Sequence, residues 1–284
     1  MASSQTEQAD STNSPKQAFT EPGEPQDRDP TLVACDGYNE VERKSILRDF
    51  SDRSNIKTDT KGTSHPGDTV ELTRDALRAA LLENAGRVPN WSWQQDDVFI
   101  RFNADGQRTS LYWCFNNWME PIRLSQALHP EQPLVAMHSL HQILKGKAVK
   151  AANLRCVSEI YADGIMKRAA GQPVTIGGNC QAGPIAEAVA HRILEQTNVA
   201  PKLVFLDHMP QHDYPGTAML LFGSKSEKYN PFLRGIDPVP RWQAQFGQHS
   251  CHLLDAGHGM YFREPAVEQL VGHVTGTLAA EGCP

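Results

Sequence analysis

The chain has 284 residues, of which 39% are hydrophobic, and it carries a formal net charge of −6. The negative charge and the lack of a basic and aromatic stripe argue against nucleic-acid binding, and no apolar run approaches the length needed to span a bilayer. This length permits one or two domains.

The first part of the sequence has the composition of a disordered segment. Residues 1–66 are rich in Ser, Thr, Pro, Gln, Asp and Glu and contain few large apolar side chains. Such a segment cannot bury enough apolar surface to offset its ordering entropy, so we predict a disordered N-terminal tail. Within it, residues 38–50 have the pattern of a short amphipathic helix that could bind a partner. A solvated tail with incidental apolar residues is the alternative interpretation.

From residue 67 onward, apolar strand patterns alternate with helical ones, which predicts an α/β domain over residues 67–284. We expect a mostly parallel sheet covered by helices on both faces. The predicted strands are residues 98–102, 111–115, 134–137, 174–176, 203–206, 218–222 and 252–254. The predicted helices are residues 72–83, 121–128, 149–168, 181–195, 239–246 and 265–278. The first two strands, separated by residues 103–106, have the pattern of an antiparallel hairpin at the sheet edge.

The turn after the fourth predicted strand is the most informative stretch of the sequence. Residues 178–182 read Gly-Asn-Cys-Gln-Ala and place a cysteine between an apolar strand and an amphipathic helix. A tight strand-to-helix turn holds its central side chain above the sheet, and the first amides of the helix point toward the same space. We therefore predict that Cys180 is a nucleophile and that the amide of Gln181 stabilises an acyl oxyanion. The usual Gly-x-Ser-x-Gly pattern has Gly where this chain has Ala182, with Gly183 one place later.

Core packing is the alternative interpretation for each of the six cysteines in the chain. Cys114, Cys156 and Cys251 lie in apolar strand or helix patterns, which favour burial. None of the six has metal-ligand or short disulfide spacing, and no segment resembles a secretory leader. We therefore expect reduced thiols and a cytoplasmic protein.

His258 is the predicted general base for this cysteine. It lies between two glycines in a loop that joins the last predicted strand to the last predicted helix. An isolated histidine is more often a surface or core residue, and we interpret most of the eleven in this way. Four other histidines are possible metal ligands, namely His138, His141, His208 and His212. They lack a helical His-x-x-x-His pattern and nearby thiols, so we predict no metal site.

Asp207 is the predicted acid, because a carboxylate must fix the tautomer of the imidazole and stabilise the imidazolium. It follows the apolar residues 203–206, at the carboxyl edge of the sheet where such sites lie. Glu227 and Asp237 are the alternatives further along the chain, and an Asp at a strand end can also cap a turn. The order of the predicted set along the chain is cysteine, aspartate, histidine, which is the order in α/β-hydrolases.

Several segments together resemble the thioesterase domains of nonribosomal peptide and polyketide synthases. They are residues 110–118, 133–137, 177–186, 203–207 and 257–265. The resemblance covers about residues 95–280. It implies an α/β-hydrolase fold, an acid after the sixth strand, and a second oxyanion amide from the loop that contains Asn116 and Asn117. It also implies no cofactor in the chain itself, because the substrate arrives as an acyl thioester on the phosphopantetheine of an acyl or peptidyl carrier protein.

The sequence departs from this family at three places. Cysteine replaces the usual serine, which is a minority form in the family. Asn116 and Asn117 stand in a loop that is usually richer in Gly and Pro. The segment after Asp207, residues 208–217, is too short for the helical lid that the family usually inserts there. We therefore expect a short or absent lid, with any cover coming from residues 139–149, residues 224–238 or the N-terminal tail.

The predicted function is thus release or transfer of an acyl or peptidyl group through an acyl-S-Cys180 intermediate, in natural-product biosynthesis. Attack of a thiolate on a thioester nearly conserves bond energy, so the sulfur keeps the acyl group activated for transfer. Two alternatives belong to other classes. One is a polymerising acyltransferase of the polyhydroxyalkanoate synthase type, expected to be longer and to carry a large cap domain. The other is a non-catalytic hydrolase-fold module that binds a carrier protein and leaves Cys180 inert.

Overall fold

A computed structural model describes residues 72–89, 92–141 and 151–279 of the chain. The predicted disordered tail over residues 1–66 and the helix over residues 38–50 lie outside the described residues, as does most of the 139–149 loop. All described residues belong to one compact unit. None of the helices within them is long and apolar enough to cross a bilayer.

The described strands form one eight-stranded sheet in the order β1-β2-β4-β3-β5-β6-β7-β8. The strands are β1 (Trp93–Asp96), β2 (Phe99–Phe102), β3 (Leu111–Phe115), β4 (Leu134–His138), β5 (Thr175–Asn179), β6 (Lys202–Leu206), β7 (Tyr214–Gly223) and β8 (Phe246–Leu254). Strands β1, β2 and β4 pair antiparallel, and all remaining neighbours are parallel. The mostly parallel sheet predicted from the sequence is confirmed.

Helices cover both faces of the sheet. They are α1 (Arg74–Ala85), α2 (Met119–Ala127), α3 (Ala151–Ala169), α4 (Gly183–Thr197), α5 (Val239–Gln245) and α6 (Ala266–Ala279). Strand β3 shows why two layers are needed, because all of its residues are buried. Tyr112 and Cys114 point into a core with α1, α3, α4 and α5, whereas Trp113 and Phe115 point into a second core with α2 and α6. A parallel strand buried on both faces reads as a continuous apolar run, as this one does.

The predicted hairpin between residues 98–102 and 111–115 is wrong. Strand β2 pairs with β1 on one side and with β4 on the other, whereas β3 lies inside the sheet between β4 and β5. The hairpin partner is β1, whose sequence Trp-Gln-Gln-Asp is mostly polar because it forms the sheet edge. Residues 103–110 instead carry the chain across to the interior, where the fully apolar β3 can be buried.

Several other boundaries differ from the sequence prediction, including the start of β7 at Tyr214 instead of residue 218, and two of them are explained by polar or small residues. The sequence prediction starts β8 at residue 252, whereas the strand begins at Phe246. Residues 247–251 lie on the edge of the sheet, where they are exposed or partly buried, and they lack a run of large apolar side chains. Helix α4 begins at Gly183, two residues later than predicted, because Cys180–Ala182 form a 3₁₀ turn first. Both differences place polar or small residues where periodicity gives no signal.

Candidate active site

Cys180 occupies the strand-to-helix turn between β5 and α4. Its φ of 47° lies in the left-handed region, which residues other than glycine rarely adopt. This strained geometry is typical of a nucleophile turn, where the backbone reverses so sharply that the central side chain projects above the sheet. Gly178 makes the turn possible, because a Cβ there would lie only 2.7 Å from the Cβ of Ala186 in α4. The side chain of Cys180 is half-buried.

The departure from the usual turn pattern has a structural explanation. Ala182, which stands where the pattern has glycine, is completely buried, and its methyl group fits the tight contact between helix and sheet. Glycine at position 183 is needed for a different reason, because any side chain there would collide with the ring of His208. The two positions together allow the helix to begin close to the residues that follow β6.

The three residues predicted to act together do come together. The Sγ of Cys180 lies 3.6 Å from Nε2 of His258, and Nδ1 of His258 lies 2.8 Å from Oδ2 of Asp207. The contacts join residues 78 and 51 positions apart in the chain. They are possible because β5, β6 and β8 end at the same carboxyl edge of the sheet. The geometry is that of a nucleophile, a base and an acid in line.

The carboxylate of Asp207 is held from several directions. It is 3% exposed. Its Oδ2 accepts hydrogen bonds from Ser226 Oγ at 2.6 Å and from the hydroxyl of Tyr261, and its Oδ1 accepts from the amide of Gly223 at 3.3 Å. These donors fix the orientation of a buried carboxylate and compensate for its lost hydration. Asp207 is therefore pre-positioned to orient the ring of His258.

The alternative acids do not take part in this arrangement. Glu227 is exposed and makes none of the contacts that Asp207 makes with His258. Asp237 is also exposed, and its Oδ1 accepts a hydrogen bond from the amide of Val239 at the start of α5. Asp237 thus binds the first backbone amide of α5 and takes no part in this arrangement.

The ring of His258 is enclosed by a residue that the sequence did not single out. Tyr229 stacks on it, with ring centroids 4.0 Å apart and an angle of 19° between the planes. Burial disfavours the charged ring, but hydrogen bonds with Asp207 and Cys180 outweigh burial and raise the pKa of His258 to about 9. Burial first, and then the proximity of Cys180 and Asp207, raise the pKa of Tyr229. Its hydroxyl therefore stays protonated beside the sulfur.

The predicted oxyanion donors differ in whether their backbone amides already have a hydrogen-bond acceptor. The amide of Gln181 lies in the first turn of a helix, where backbone amides have no intrahelical acceptor. By contrast, the amide of Asn116 donates to Oε2 of Glu120 at 2.9 Å, and the amide of Asn117 also faces that carboxyl group. The amide of Asn116, one candidate for the second oxyanion donor, is thus engaged by Glu120 and becomes free for a ligand only if that carboxyl group moves.

Glu120 belongs to a polar network directly under the turn. Its Oε2 also accepts from Asn179 Nδ2 at 3.2 Å, and Asn116 Nδ2 donates to the carbonyl of Asn179 at 3.0 Å. Trp113 Nε1 donates to Oδ1 of Asn179 at 3.2 Å. Burial raises the pKa of Glu120 to about 7 against the lowering effect of these hydrogen bonds. The network fixes the residue that precedes Cys180.

No helical lid follows the acid. Residues 208–213 lead from Asp207 directly into β7, which confirms the short connection predicted at this place. Of the three segments proposed as cover, residues 224–238 do reach the site, because they carry Tyr229 and Ser226. The N-terminal tail and most of the 139–149 loop lie outside the described residues.

Sequence reasoning missed four residues of this site: Tyr229, Tyr261, Ser226 and Glu120. Tyr261 stands three places after His258, inside a segment that carried the family resemblance, and this proximity was a usable signal. Tyr229 and Ser226 come from a loop with no distinctive pattern. Glu120 reads as an ordinary acidic residue in the first turn of a helix, which is where carboxylates are favoured.

Comparison with known proteins yields structures only. No protein-family model and no curated protein matches the chain. The crystal structure of the NocB thioesterase domain from the nocardicin cluster matches with a TM-score of 0.51 at 12% identity, over 64% of this chain and 98% of that one. The covalent complex of the same domain with a fluorophosphonate nocardicin G analogue matches with a TM-score of 0.51 at 13% identity, over 63% and 99%.

These matches establish the fold of the chain as that of an α/β-hydrolase, as predicted. At this level of fold, the resemblance to synthase thioesterase domains is confirmed. Fold does not determine chemistry, since unrelated activities share this architecture. The residues at the carboxyl edge of the sheet, rather than the fold, therefore indicate the function.

Proposed function

We propose that this chain is a thioesterase-type enzyme that releases or transfers an acyl or peptidyl group through an acyl-S-Cys180 intermediate. The observation that carries the proposal is the line of contacts from Cys180 Sγ through the ring of His258 to Asp207, at 3.6 and 2.8 Å. The strained turn and the amide of Gln181 in the first helical turn add two further features that acyl transfer needs, a half-buried nucleophile that projects above the sheet and an oxyanion donor.

The first half of the reaction forms the intermediate. Nε2 of His258 takes the proton from the Cys180 thiol, and the thiolate attacks the carbonyl carbon of a thioester. The negative charge on the carbonyl oxygen is stabilised by the amide of Gln181. The bond from this carbon to the departing sulfur then breaks, and the leaving thiolate takes the proton from His258. The acyl group is now on Cys180 as a new thioester.

The second half releases the acyl group. Water, or a nucleophile of the substrate or a partner, gives its proton to His258 and attacks the Cys180 thioester. Collapse of the tetrahedral intermediate breaks the carbon–sulfur bond and returns the proton to Cys180. Asp207 keeps Nδ1 of His258 protonated, so that Nε2 faces the sulfur in the tautomer that accepts a proton. Ser226 and Tyr261 hold the carboxylate in place for this task.

The proposed substrate is an acyl or peptidyl thioester on the phosphopantetheine of a carrier protein, in natural-product biosynthesis. The absence of a helical lid over residues 208–213 supports a site that a tethered substrate can enter. Exposed apolar side chains occur on the segments that carry the site residues, and an acyl chain could lie against them. They are Met119, Phe232, Leu233, Ile236 and Met260. A free thiol is required at Cys180, so a reducing compartment such as the cytoplasm suits this reaction.

Turnover of carrier-bound substrates tests this function. The purified full-length chain is incubated with a carrier protein bearing a panel of acyl-phosphopantetheines, and the mass of the carrier reports loss of the acyl group. We expect unloading by the wild type and none above background by Cys180→Ala. Cys156→Ala is the matched control, since Cys156 is also a free, half-buried cysteine but lies on α3 and not at the carboxyl edge of the sheet. Equal loss of the acyl group from the carrier with wild type and with Cys180→Ala would contradict the proposal.

The non-catalytic alternative needs a separate test, because a panel can miss the right acyl group. Burial raises the pKa of Cys156 and raises that of Cys251 to about 11, which suppresses their thiolates near neutral pH. Cys180 contacts His258 instead. Iodoacetamide should therefore alkylate Cys180 first in a nucleophilic enzyme, whereas an inert binding module would show no such preference.

A further inference from the structure

A second cluster of chemically capable side chains lies outside the site described above. Glu187 and His191 are four residues apart on α4 and so share one face of the helix. His212 faces them from residues 208–213. One carboxylate oxygen and one ring nitrogen from each histidine all lie within 4.8 Å of one another.

The carboxylate of Glu187 is fixed before any ligand arrives. Glu187 is 3% exposed. Its Oε1 accepts hydrogen bonds from the amides of Gln211 at 3.0 Å and His212 at 2.8 Å, and its Oε2 lies 3.4 Å from Nε2 of His208. Such contacts orient a carboxylate without using all of its lone pairs.

His191 supplies the observation that points to a ligand. Its Nε2 is buried, and within the described part of the chain no hydrogen-bond partner reaches it. Buried polar atoms in proteins are nearly always paired with protein, water or an ion. The other two members are already placed around it, since the rings of His191 and His212 have centroids 5.8 Å apart.

His212 leaves the cluster open to solvent. Its side chain is 72% exposed, and its Nδ1 lies 3.0 Å from Oε1 of Glu187. A cleft of about 510 Å³ is lined by all three residues and gives an ion a path to them. The ligand atoms of a tetrahedral zinc ion are roughly 3.4 Å apart, as follows from bonds of about 2.0–2.2 Å. Rotation of the exposed His212 ring can close the remaining gap.

We propose that Glu187, His191 and His212 form a binding site for a zinc-type divalent transition metal ion, with water in the fourth position. Two imidazoles and one carboxylate are ligands that zinc accepts, whereas magnesium and calcium prefer oxygen alone. The proposal departs from the sequence prediction of no metal site, which considered His138, His141, His208 and His212 and did not include Glu187 or His191.

The position of the ion gives it a structural task. Helix α4 begins directly after the Cys180 turn, and residues 208–213 begin directly after Asp207. A metal ion bound to both segments would hold the start of α4 and residues 208–213 together. It would thereby fix the segments next to Cys180 and Asp207 without contacting these two residues. We therefore expect zinc to raise the thermal unfolding midpoint of the protein.

The test is a titration of zinc chloride into full-length, tag-free, metal-stripped protein by calorimetry, with a melting curve at each ratio. It is done in the Cys180→Ala background, because Cys180 and His258 could themselves bind zinc. We expect one equivalent of zinc to bind and the midpoint to rise. His212→Ala and His191→Gln should each weaken binding at least about tenfold. Magnesium chloride should give no signal.

His252→Ala is the matched control, because His252 and His273 form a stacked histidine pair, with centroids 4.1 Å apart, that does not line the cleft. It should leave zinc binding unchanged. The His212 side chain is 72% exposed, so we expect His212→Ala to fold like its parent, and its zinc titration tests the proposal if His191→Gln is unstable. The proposal is overturned if zinc does not bind at micromolar concentration, if His212→Ala binds as well as its parent, or if binding is lost in His252→Ala.

Discussion

Tyr229 lies flat against the imidazole of His258, with ring centroids 4.0 Å apart. It comes from residues 224–238, which cover the site from one side where no helical lid is present. The stack shields one face of the proposed base from water and restricts its rotation. Its contribution can therefore be measured separately from that of the residues that form hydrogen bonds to His258.

Replacing Tyr229 by Ala should lower turnover of an acyl thioester by about two- to tenfold, since aromatic pairs contribute about 0.5–1.5 kcal/mol beyond their buried area. Tyr229→Phe keeps the stacked ring and should retain most of the activity. Steady-state rates of both variants on one carrier-bound substrate give the comparison. An equal loss in both would assign the effect to the hydroxyl beside Cys180 instead of the stack.

Replacing the acid should separate Asp207 from its rival. Asp207→Asn removes the charge that orients His258, a change that costs about ten-thousandfold in a serine protease. A thiolate–imidazolium pair depends less on the acid, so we expect a loss of at least roughly tenfold. Glu227→Gln should have little effect, because Glu227 is exposed. If the two rates come out in the reverse order, the acid is assigned to the wrong residue.

The pKa of His258 should fall in Asp207→Asn. Burial alone would lower this pKa, and the hydrogen bonds with Asp207 and Cys180 raise it to about 9. Histidine NMR titrations of wild type, Asp207→Asn and Cys180→Ala measure the shift. The stabilisation from protonating His258 is complete below about 6.5 and is lost as the pH rises through about 9. Wild type should therefore lose stability relative to His258→Gln between these values, and parallel curves would contradict the assignment.

Glu120→Gln should change how stability depends on pH. Burial raises the pKa of Glu120 from 4.5 to about 7, so the folded protein binds this proton more tightly than the unfolded chain does. Stability contributed by the protonated group is complete below about 4.5 and declines as the pH rises to about 7. The variant cannot titrate, so its unfolding midpoint relative to wild type should rise over this range. The exposed Glu268→Gln should show no such trend.

The parts of the fold that the sequence predicts are those with strong periodicity. Fully buried strands such as β3 and β4 are runs of apolar residues, and their burial on both faces follows from the covering helices. The sequence prediction misses the edge strand β1 and truncates the edge strand β8. One side of an edge strand meets solvent and keeps polar residues, which hide the strand pattern. The error in the first hairpin has the same origin, since the polar β1 was missed and β2 was paired instead with the next predicted strand across residues 103–106.

The residues of the candidate site also fall into those that the sequence predicts and those that it does not. Cys180, Asp207 and His258 stand at strand ends or in a glycine-flanked loop, where position alone suggests chemistry, and their mutual distances agree with that expectation. Residues that act through tertiary contact give no local signal. The engagement of the Asn116 amide by Glu120 depends on how α2 begins beside β3 and β5, and no spacing in the sequence encodes it.

The most direct test of the central claim is to trap the acyl-enzyme and locate it. Wild type, Cys180→Ser and Cys180→Ala are mixed with an acyl thioester that the carrier assay shows to be a substrate, quenched in acid within the first turnover, and analysed by intact-mass and peptide mass spectrometry. We expect one acyl adduct on Cys180 in the wild type, a slower-forming adduct on the hydroxyl of the serine variant, and none in the alanine variant. An adduct on any other residue, or an acylated Cys180→Ala protein, would contradict the account.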